Sequence, residues 1–366
     1  MKRRASGVMV FACAVVALLA APASFAKAPK NFFGVGPQTP LTKEDIDRMG
    51  QGKVGTLRFQ IFWAGQNPEP GVYEWGAVDQ IVRDASRNDI RLLPFIFSTP
   101  PWVAQLDGVN CEGGECLAYA PRGDQALDAW KSFLREAAQR YGPNGIYWIL
   151  NPDVPKNPIR AWQIWNEQNS PSFYKPKPSV GGFANLLKAA DRALGAVDPK
   201  AKVILGGMFL SPLGGEKPAF FSSDYLAKLY SVKGAKKHFD GVGAHPYASQ
   251  LSKVKLQVKL LRKEMKKAGD RRTGMWVTEV GWASGGPPNP LNKGKKGQAR
   301  QLTGLYELFL EKRRAWRIKT VDWYSWKDNS GADQGLCEWC PFSGLMTEDL
   351  TPKRAWKAFV EFTGGS

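Results

Sequence analysis

Short apolar runs alternate with amphipathic stretches along most of the chain. Eight of these runs are four to nine residues long and rich in aromatic and β-branched side chains, which is typical of buried strands. The predicted strands cover residues 32–35, 54–62, 91–97, 160–165, 202–205, 239–244, 275–279 and 320–326. Each of them is followed by a stretch long enough for a helix, so the pattern does not indicate an architecture of strands alone.

The stretches between the strands carry hydrophobic residues at helical spacing. Val78, Ile81, Val82 and Ala85 show this spacing in the second predicted helix, and Thr42 with Asp45 forms a capping pair that opens the first. The full set begins at residue 42 and continues with 77–88, 124–141, 182–197, 220–232, 251–268, 297–312 and 352–362.

Eight strands that are each followed by a helix predict an α/β protein with a single (β/α)8 TIM barrel. A doubly wound parallel sheet would show the same alternation. However, the glycines of Gly34-Val35-Gly36-Pro37 do not complete the Gly-x-Gly-x-x-Gly pattern of a dinucleotide site. No linker-like tract divides the chain, so we expect one catalytic domain over residues 27–366.

Two of the predicted strands end in acidic side chains. The fourth stops at Asn166-Glu167, and the seventh stops at Glu279. In a barrel of parallel strands, the carboxyl ends of all the strands meet at one rim, where catalytic groups lie. Two carboxylates that face each other there can cleave a glycosidic bond, because one protonates the departing oxygen and the other attacks or supports the cationic sugar.

The first 26 residues resemble a secretory signal peptide. Lys2, Arg3 and Arg4 precede an apolar segment over residues 7–21, and Ala-Ser-Phe-Ala at 23–26 offers the small residues of a cleavage site. We expect cleavage after Ala26 and a secreted, extracellular protein with no membrane span in its mature form. The alternative is an uncleaved N-terminal anchor.

Charge and aromatic content refine this expectation. The chain carries a net charge of +18 with 14 tryptophans, and removal of the three basic leader residues leaves +15. Such a charge attracts polyanions, so an anionic glycan or an anionic cell envelope is a candidate partner. The lysines are scattered over predicted helices and loops and form no base-reading motif, so we expect no specific nucleic-acid binding.

Four cysteines follow the leader, and an exported protein oxidises its thiols. Three pairings are open, and we favour the local ones, each of which would pin a loop. A zinc site is the alternative, because C-x4-C and C-x2-C could supply four thiolates. The favoured pairs are Cys111 with Cys116 and Cys337 with Cys340.

The motifs at the strand ends resemble those of the retaining glycoside hydrolases of clan A, most closely families 39 and 5. The resemblance covers nearly all of residues 27–366. It rests on Asn166-Glu167, on Thr278-Glu279-Val280-Gly281-Trp282, and on Arg58, His245-Pro246-Tyr247 and Trp326. It implies Glu167 as the acid/base, Glu279 as the nucleophile and Asn166 as a donor to the sugar 2-hydroxyl.

The resemblance also implies further substrate contacts and no cofactor or metal. Arg58 and Tyr247 would hold Glu279 ionised, His245 would bind the carboxylates or a sugar hydroxyl, and Trp326 would form the floor under the sugar. Since apolar sugar faces pack on aromatic rings, Trp63, Trp102 and Trp282 are candidate stacking surfaces.

These features predict a monomeric, secreted β-glycosidase that acts on an oligo- or polysaccharide, with endo action favoured by the many tryptophans. Other hypotheses stay open at this point: an exo-acting, xylosidase-like enzyme, a carbohydrate- or cell-wall-binding barrel without hydrolysis, and transglycosylation by the same residues. Arg58 could be only a structural ion pair, and His245 could serve only the core.

Overall fold

The computed structural model describes residues 28–111, 115–209, 221–331 and 337–366. The predicted signal peptide, 1–26, lies outside them. The described residues form nine parallel strands: β1 Phe33–Gly36, β2 Thr56–Phe62, β3 Arg91–Phe97, β4 Ala161–Ile164, β5 Lys202–Leu205, β6 Met208–Phe209, β7 Gly241–His245, β8 Gly274–Val280 and β9 Ile318–Tyr324.

The strands close into a barrel. Neighbours in sequence pair from β1 to β5, and β7, β8 and β9 continue the order until β9 pairs with β1, with Gly34 opposite Asp322. Ile204 of β5 pairs with Gly241 of β7 and closes the ring. The two-residue β6 lies beside β7, so eight strands form the wall. The predicted (β/α)8 barrel is confirmed.

Helices surround this barrel. They are α1 Lys43–Gln51, α2 Trp63–Gln66, α3 Gly76–Arg87, α4 Pro101–Leu106, α5 Asp124–Tyr141, α6 Ile146–Leu150, α7 Val180–Val197, α8 Ser222–Ser231, α9 Leu251–Lys267, α10 Gly294–Trp316 and α11 Arg354–Thr363. The short α2, α4 and α6 were not predicted, because a turn or two of helix leaves no periodic pattern. Among the described helices, none is long and apolar enough to cross a membrane.

The capping pair predicted at the start of α1 is present and has a second role. Thr42 and Asp45 exchange hydrogen bonds of 2.8 and 3.2 Å as a capping box. The buried Asp45 carboxylate also accepts a 2.8 Å hydrogen bond from Nε1 of Trp326 and pairs with Lys327. Burial raises the pKa of Asp45, but these hydrogen bonds outweigh it and the pKa is lowered. The chain after β9 is thus fastened to α1.

Both favoured disulfides are confirmed. Cys111 is bonded to Cys116, and Cys337 to Cys340, with Cα atoms 5.3 and 5.4 Å apart. Because the four sulfurs are joined in pairs, they are not zinc ligands. The second bridge brackets Trp339, whose ring packs against Tyr247 at a centroid distance of 5.1 Å.

We expect Trp326→Phe to lower the free energy of unfolding by about 1–3 kcal/mol, since the buried Asp45 carboxylate loses a donor while the ring volume is largely kept. Urea denaturation measures the change. The matched control is Trp316→Phe, a similar truncation at a buried ring whose indole nitrogen makes no hydrogen bond within the described part of the chain. Equal losses in the two variants would show that the Asp45 contact contributes nothing.

Candidate active site

The backbone after β4 turns both Asn166 and Glu167 towards the same cleft. In a regular strand, neighbouring side chains point to opposite faces. Here Trp165 and Glu167 adopt left-handed conformations, with φ of 68° and 42°, and the ring of Trp165 is fully buried. Asn166 and Glu167 consequently both line the cleft at the carboxyl ends of the strands.

Glu167 is held by contacts with the connection between β5 and β6 and with β7. Its amide donates a 3.1 Å hydrogen bond to the carbonyl of Gly207, and its Oε1 lies 2.7 Å from Nδ1 of His245. A Cβ at position 207 would stand 1.8 Å from Nε2 of His245. Only glycine therefore leaves room for the imidazole beside this carboxylate.

Glu279 projects from β8 into the same cleft with different partners. Its Oε1 accepts a 2.7 Å hydrogen bond from Nη1 of Arg58, and its Oε2 accepts one of 2.9 Å from the hydroxyl of Tyr247. Nδ1 of His245 lies 3.5 Å from Oε2 as well. The side chains of Glu167 and Glu279 are each 12% exposed, so both are nearly buried but reachable from the cleft.

The two carboxylates face each other at short range. One oxygen of Glu167, one of Glu279 and a ring nitrogen of His245 all lie within 4.8 Å of one another. Retaining glycosidases place their two carboxyl groups about 5–5.5 Å apart, whereas inverting enzymes leave a wider gap for water. The approach of the two carboxylates is therefore compatible with the shorter of these two spacings.

Arg58 connects three of the strands that build the site. From β2, its Nη1 reaches Glu279 on β8, its Nη2 donates to Oδ1 of Asn166 at 2.9 Å, and its Nε donates to Oε1 of Gln163 at 2.7 Å. The guanidinium also lies 4.0 Å from the centroid of the Phe95 ring. The position of Arg58 is therefore fixed both by hydrogen bonds from its nitrogens and by packing of the guanidinium against the Phe95 ring.

A chain of hydrogen bonds sets the tautomer of His245. Nε2 of Gln163 donates to Oγ1 of Thr278 at 3.2 Å, and the Thr278 hydroxyl lies 3.1 Å from Nε2 of His245. We assign the proton of the neutral imidazole to Nδ1, because an ionised Glu167 oxygen 2.7 Å away can only accept, and the hydroxyl of Thr278 can then donate to Nε2. Gln163 was not among the predicted site residues.

Burial and the guanidinium set the ionisation of the two central groups. Burial lowers the pKa of His245 well below its usual value, and the charge of Arg58 lowers it further, so the imidazole is neutral. Burial raises the pKa of Glu279, and Arg58 and Tyr247 reduce that rise without cancelling it, so the pKa stays above its usual value. The tyrosine hydroxyl stays protonated, because burial and the adjacent Glu279 raise the pKa of Tyr247 well above its usual value.

Glu167, His245 and Glu279 could in principle bind a metal ion through three ligand atoms. However, Arg58 and Tyr247 already occupy both oxygens of Glu279, and a guanidinium in that place would repel a divalent cation. We interpret the cluster as two carboxyl groups with the imidazole of His245 between them, and not as a metal site.

The cleft has a volume of about 660 Å³. Its described lining includes Arg58, Asn166, Glu167, Tyr247 and Glu279 of the predicted site residues. His245 lies directly beneath them, fully buried. The lining also includes aromatic residues that sequence reasoning missed: Phe97, Phe173, Phe209, Tyr324 and Trp339.

The predicted tryptophan contacts do not fit the structure. Trp63, Trp282 and Trp326 have no exposed surface, and none of them lines the cleft. Trp282 donates to the carbonyl of Ala248 and Trp326 to Asp45, so both indoles are committed to the fold. Trp102 is half-buried outside the cleft and donates to the carbonyl of Asn67. At the end of β9, Tyr324 rather than Trp326 faces the site.

Comparison with protein-family models and with curated proteins gives no match. Among solved structures, the chain is similar to a family 39 glycoside hydrolase from Bacteroides cellulosilyticus WH2, with a TM-score of 0.66 and 19% identity over 92% of this chain and 63% of the other. It is thus shorter than that relative.

Two further solved structures have a similar fold. Xylanase 10B from Thermotoga maritima gives a TM-score of 0.62 at 15% identity over 92% of this chain and 95% of the other. GH5_18 from Streptomyces cattleya, solved in complex with GlcNAc, gives 0.63 at 16% over 93% and 80%. At these identities, the comparisons establish the barrel fold.

A free histidine is protonated as the pH falls below its usual pKa of 6.5. We expect the imidazole of His245 to remain neutral down to about pH 5.5, because its burial and the charge of Arg58 lower its pKa. ¹⁵N NMR of the two histidines measures this, with His238, the only other histidine of the chain, as the second resonance. A titration of His245 with its midpoint near 6.5 would contradict the geometry of the site.

Proposed function

We propose that the protein is a retaining β-glycosidase. The observation that carries the proposal is the close approach of Glu167 and Glu279, within 4.8 Å across one cleft, with different partners on each. A pair of carboxylates at this spacing suits a double displacement, because the nucleophile attacks the anomeric carbon from one face while the acid protonates the departing oxygen on the other. A barrel that only binds carbohydrate does not need this pairing.

In this mechanism Glu279 is the nucleophile. Arg58 and Tyr247 stabilise its anionic form, and its near-complete burial removes the water that would blunt its attack on the anomeric carbon. As the glycosyl-enzyme bond forms, the negative charge on the carboxylate is lost. Arg58 or Tyr247, whichever donates to the oxygen that has not reacted, then holds that carbonyl oxygen in place.

Glu167 acts as the acid and then as the base. It protonates the departing oxygen in the first step and removes a proton from water in the second. The Nδ1–H of His245 donates to Oε1, which fixes the orientation of the carboxyl group in the cleft. Because His245 is neutral and buried, it orients Glu167 without supplying a competing proton.

Asn166 binds the sugar. Its Oδ1 accepts from Arg58, which turns the amide nitrogen towards the cleft. We infer that this NH₂ group donates to the 2-hydroxyl of the sugar, a contact that strengthens in the transition state. Tyr324 takes the place that Trp326 was predicted to fill.

The substrate we propose is a β-linked oligo- or polysaccharide or a simpler β-glycoside. Our expectation of endo action relied on tryptophan-lined subsites, and those tryptophans lie outside the cleft. The remaining support is the volume of about 660 Å³, which exceeds one sugar ring. Product lengths from a panel of β-linked polysaccharides separate endo action from the removal of terminal sugars.

We propose export through the leader and retention at an anionic cell envelope. Arg58 is the only basic residue among the described residues that line the cleft, and it is paired with Glu279. The exposed Lys255, Lys259 and Lys263 instead line one side of α9, followed by Lys267, which pairs with Glu264. Like charges four residues apart disfavour a helix unless something neutralises them. Release of the protein from cells by salt would test this.

Replacement of Glu279 should remove turnover without unfolding the protein. We expect Glu279→Gln to lower kcat on an aryl β-glycoside by at least about 10⁴-fold, since no covalent intermediate can form. Azide should restore activity to Glu279→Ala and yield a glycosyl azide of inverted configuration. Full activity in Glu279→Gln, measured alongside its circular dichroism, would exclude the mechanism.

Replacement of Glu167 should affect substrates according to their leaving groups. We expect Glu167→Ala to retain much of the rate of the first step on dinitrophenyl glycosides, which depart without a proton, and to lose at least about 100-fold on natural alkoxide leaving groups. Pre-steady-state release of the phenol measures the first step. A uniform loss across both substrates would assign Glu167 a purely structural role.

A further inference from the structure

The two sides of the cleft differ in what their aromatic side chains can offer. Beside Glu279, the rings belong to Tyr247, Tyr324 and Trp339, each of which carries an O–H or N–H group. Beside Glu167, the rings belong to Phe97, Phe173 and Phe209, which carry none.

The first two phenylalanines form one apolar wall next to the acid/base residue. Phe97 ends β3, the neighbour of β4, and its ring lies 5.8 Å from that of Phe173 and 5.1 Å from Trp165. The carbonyl of Phe173 accepts a 2.6 Å hydrogen bond from the indole of Trp165. Both rings are half-buried, so each presents part of its surface to the cleft.

Phe209 completes the wall and is held by the same segment as Glu167. Nδ2 of Asn169 donates to the carbonyl of Phe209 at 2.6 Å, and the Phe209 amide donates to Oδ1 of Asn169 at 3.2 Å. Asn169 follows Glu167 by two residues. Phe173, Phe209 and the proton donor are therefore positioned by one short stretch of chain, and Phe97 reaches the same place from β3.

This arrangement bears on the leaving group, and the inference rests on the proposed function. The acid/base residue protonates the departing oxygen, so the leaving group occupies the side of the cleft where Glu167 stands. Among the described residues, a second sugar there would face three rings that offer no partner for its hydroxyls, and Ser170, whose hydroxyl oxygen already accepts a hydrogen bond from the amide of Ser172. An unpaired buried hydroxyl is unfavourable.

We propose that the protein cleaves β-glycosides whose leaving group is apolar, such as an alkyl or aryl alcohol. The sugar would lie on the Glu279 side, where tyrosine and tryptophan provide both a ring face and a hydrogen-bonding group. Water attacks the glycosyl-enzyme intermediate after the apolar alcohol has left with the proton from Glu167. Phe97, Phe173 and Phe209 determine the specificity for that alcohol.

The test compares alcohols of matched acidity. A screen of 4-nitrophenyl β-glycosides first identifies the sugar, and the methyl and hexyl β-glycosides of that sugar are then compared. Their leaving alcohols have similar pKa values, so a difference in kcat/KM reports binding of the chain. We expect hexyl to exceed methyl by at least tenfold, because two buried methylenes already supply that factor.

Variants locate the preference. Phe209→Ala and, separately, Phe173→Ala should reduce the hexyl-to-methyl ratio to less than threefold, and Phe173→Tyr should reduce it with less effect on packing. Phe221→Ala is the matched control, since Phe221 is 55% exposed and lies outside the cleft lining, and it should keep the wild-type ratio.

The outcomes separate the two proposals. If neither an aryl β-glycoside nor a β-linked polysaccharide of the panel is hydrolysed, the proposed function itself fails. If only the polysaccharides are hydrolysed, the apolar leaving group alone is overturned. If an aryl glycoside is hydrolysed but hexyl and methyl glycosides react equally, or a β-linked disaccharide of the same sugar reacts at least tenfold faster than the hexyl glycoside, only the apolar leaving group is overturned. An unchanged ratio in both alanine variants would also overturn it.

Discussion

The site depends on one guanidinium. Arg58 has a rigid fork of donors, and each of its three nitrogens meets a different acceptor: Gln163, Asn166 and Glu279. Because these acceptors belong to β4, to the segment after it and to β8, the fork fixes distances between parts of the barrel that are remote in sequence. A lysine could not replace it, since a single ammonium group on a flexible stem lacks this geometry.

The same charge also controls ionisation around it. Arg58 favours the anionic form of Glu279, which burial alone would disfavour, and it disfavours protonation of His245. Arg58 also donates to Gln163, which is connected to His245 by hydrogen bonds through Thr278. As a result, the nearest partner of Glu279 is a cation, whereas the nearest partner of Glu167 is a neutral imidazole.

The sequence predicted those features that depend on strand order and strand ends. Parallel strands all expose their carboxyl ends at one rim, so Glu167 and Glu279 could be placed together from pattern alone. Arg58 and Tyr247 were predicted from the resemblance to the clan A enzymes. The local disulfides were predictable because their cysteines are only three and five residues apart. Each of these arguments uses either local spacing or a general rule of barrel topology.

Side-chain direction after a strand was not predictable. Trp326 follows β9 as the motif suggested, but its indole turns to the carboxylate of Asp45 in α1, more than 280 residues away in the chain. The phenylalanines beside Glu167 are equally non-local, because Phe97 and Phe209 come from two other strands. Tyr324 could have been found by the rule that found Glu279, since it also ends a barrel strand.

The left-handed backbone at Trp165 and Glu167 has a consequence for how this chain could change. Glycine and asparagine adopt that conformation with less strain than tryptophan or glutamate. A descendant that no longer needed an acid in the cleft could gain stability by accepting either residue at position 167. A glutamate at position 167 strains its own backbone. Its presence there indicates that selection for the carboxylate outweighs selection for stability at this position.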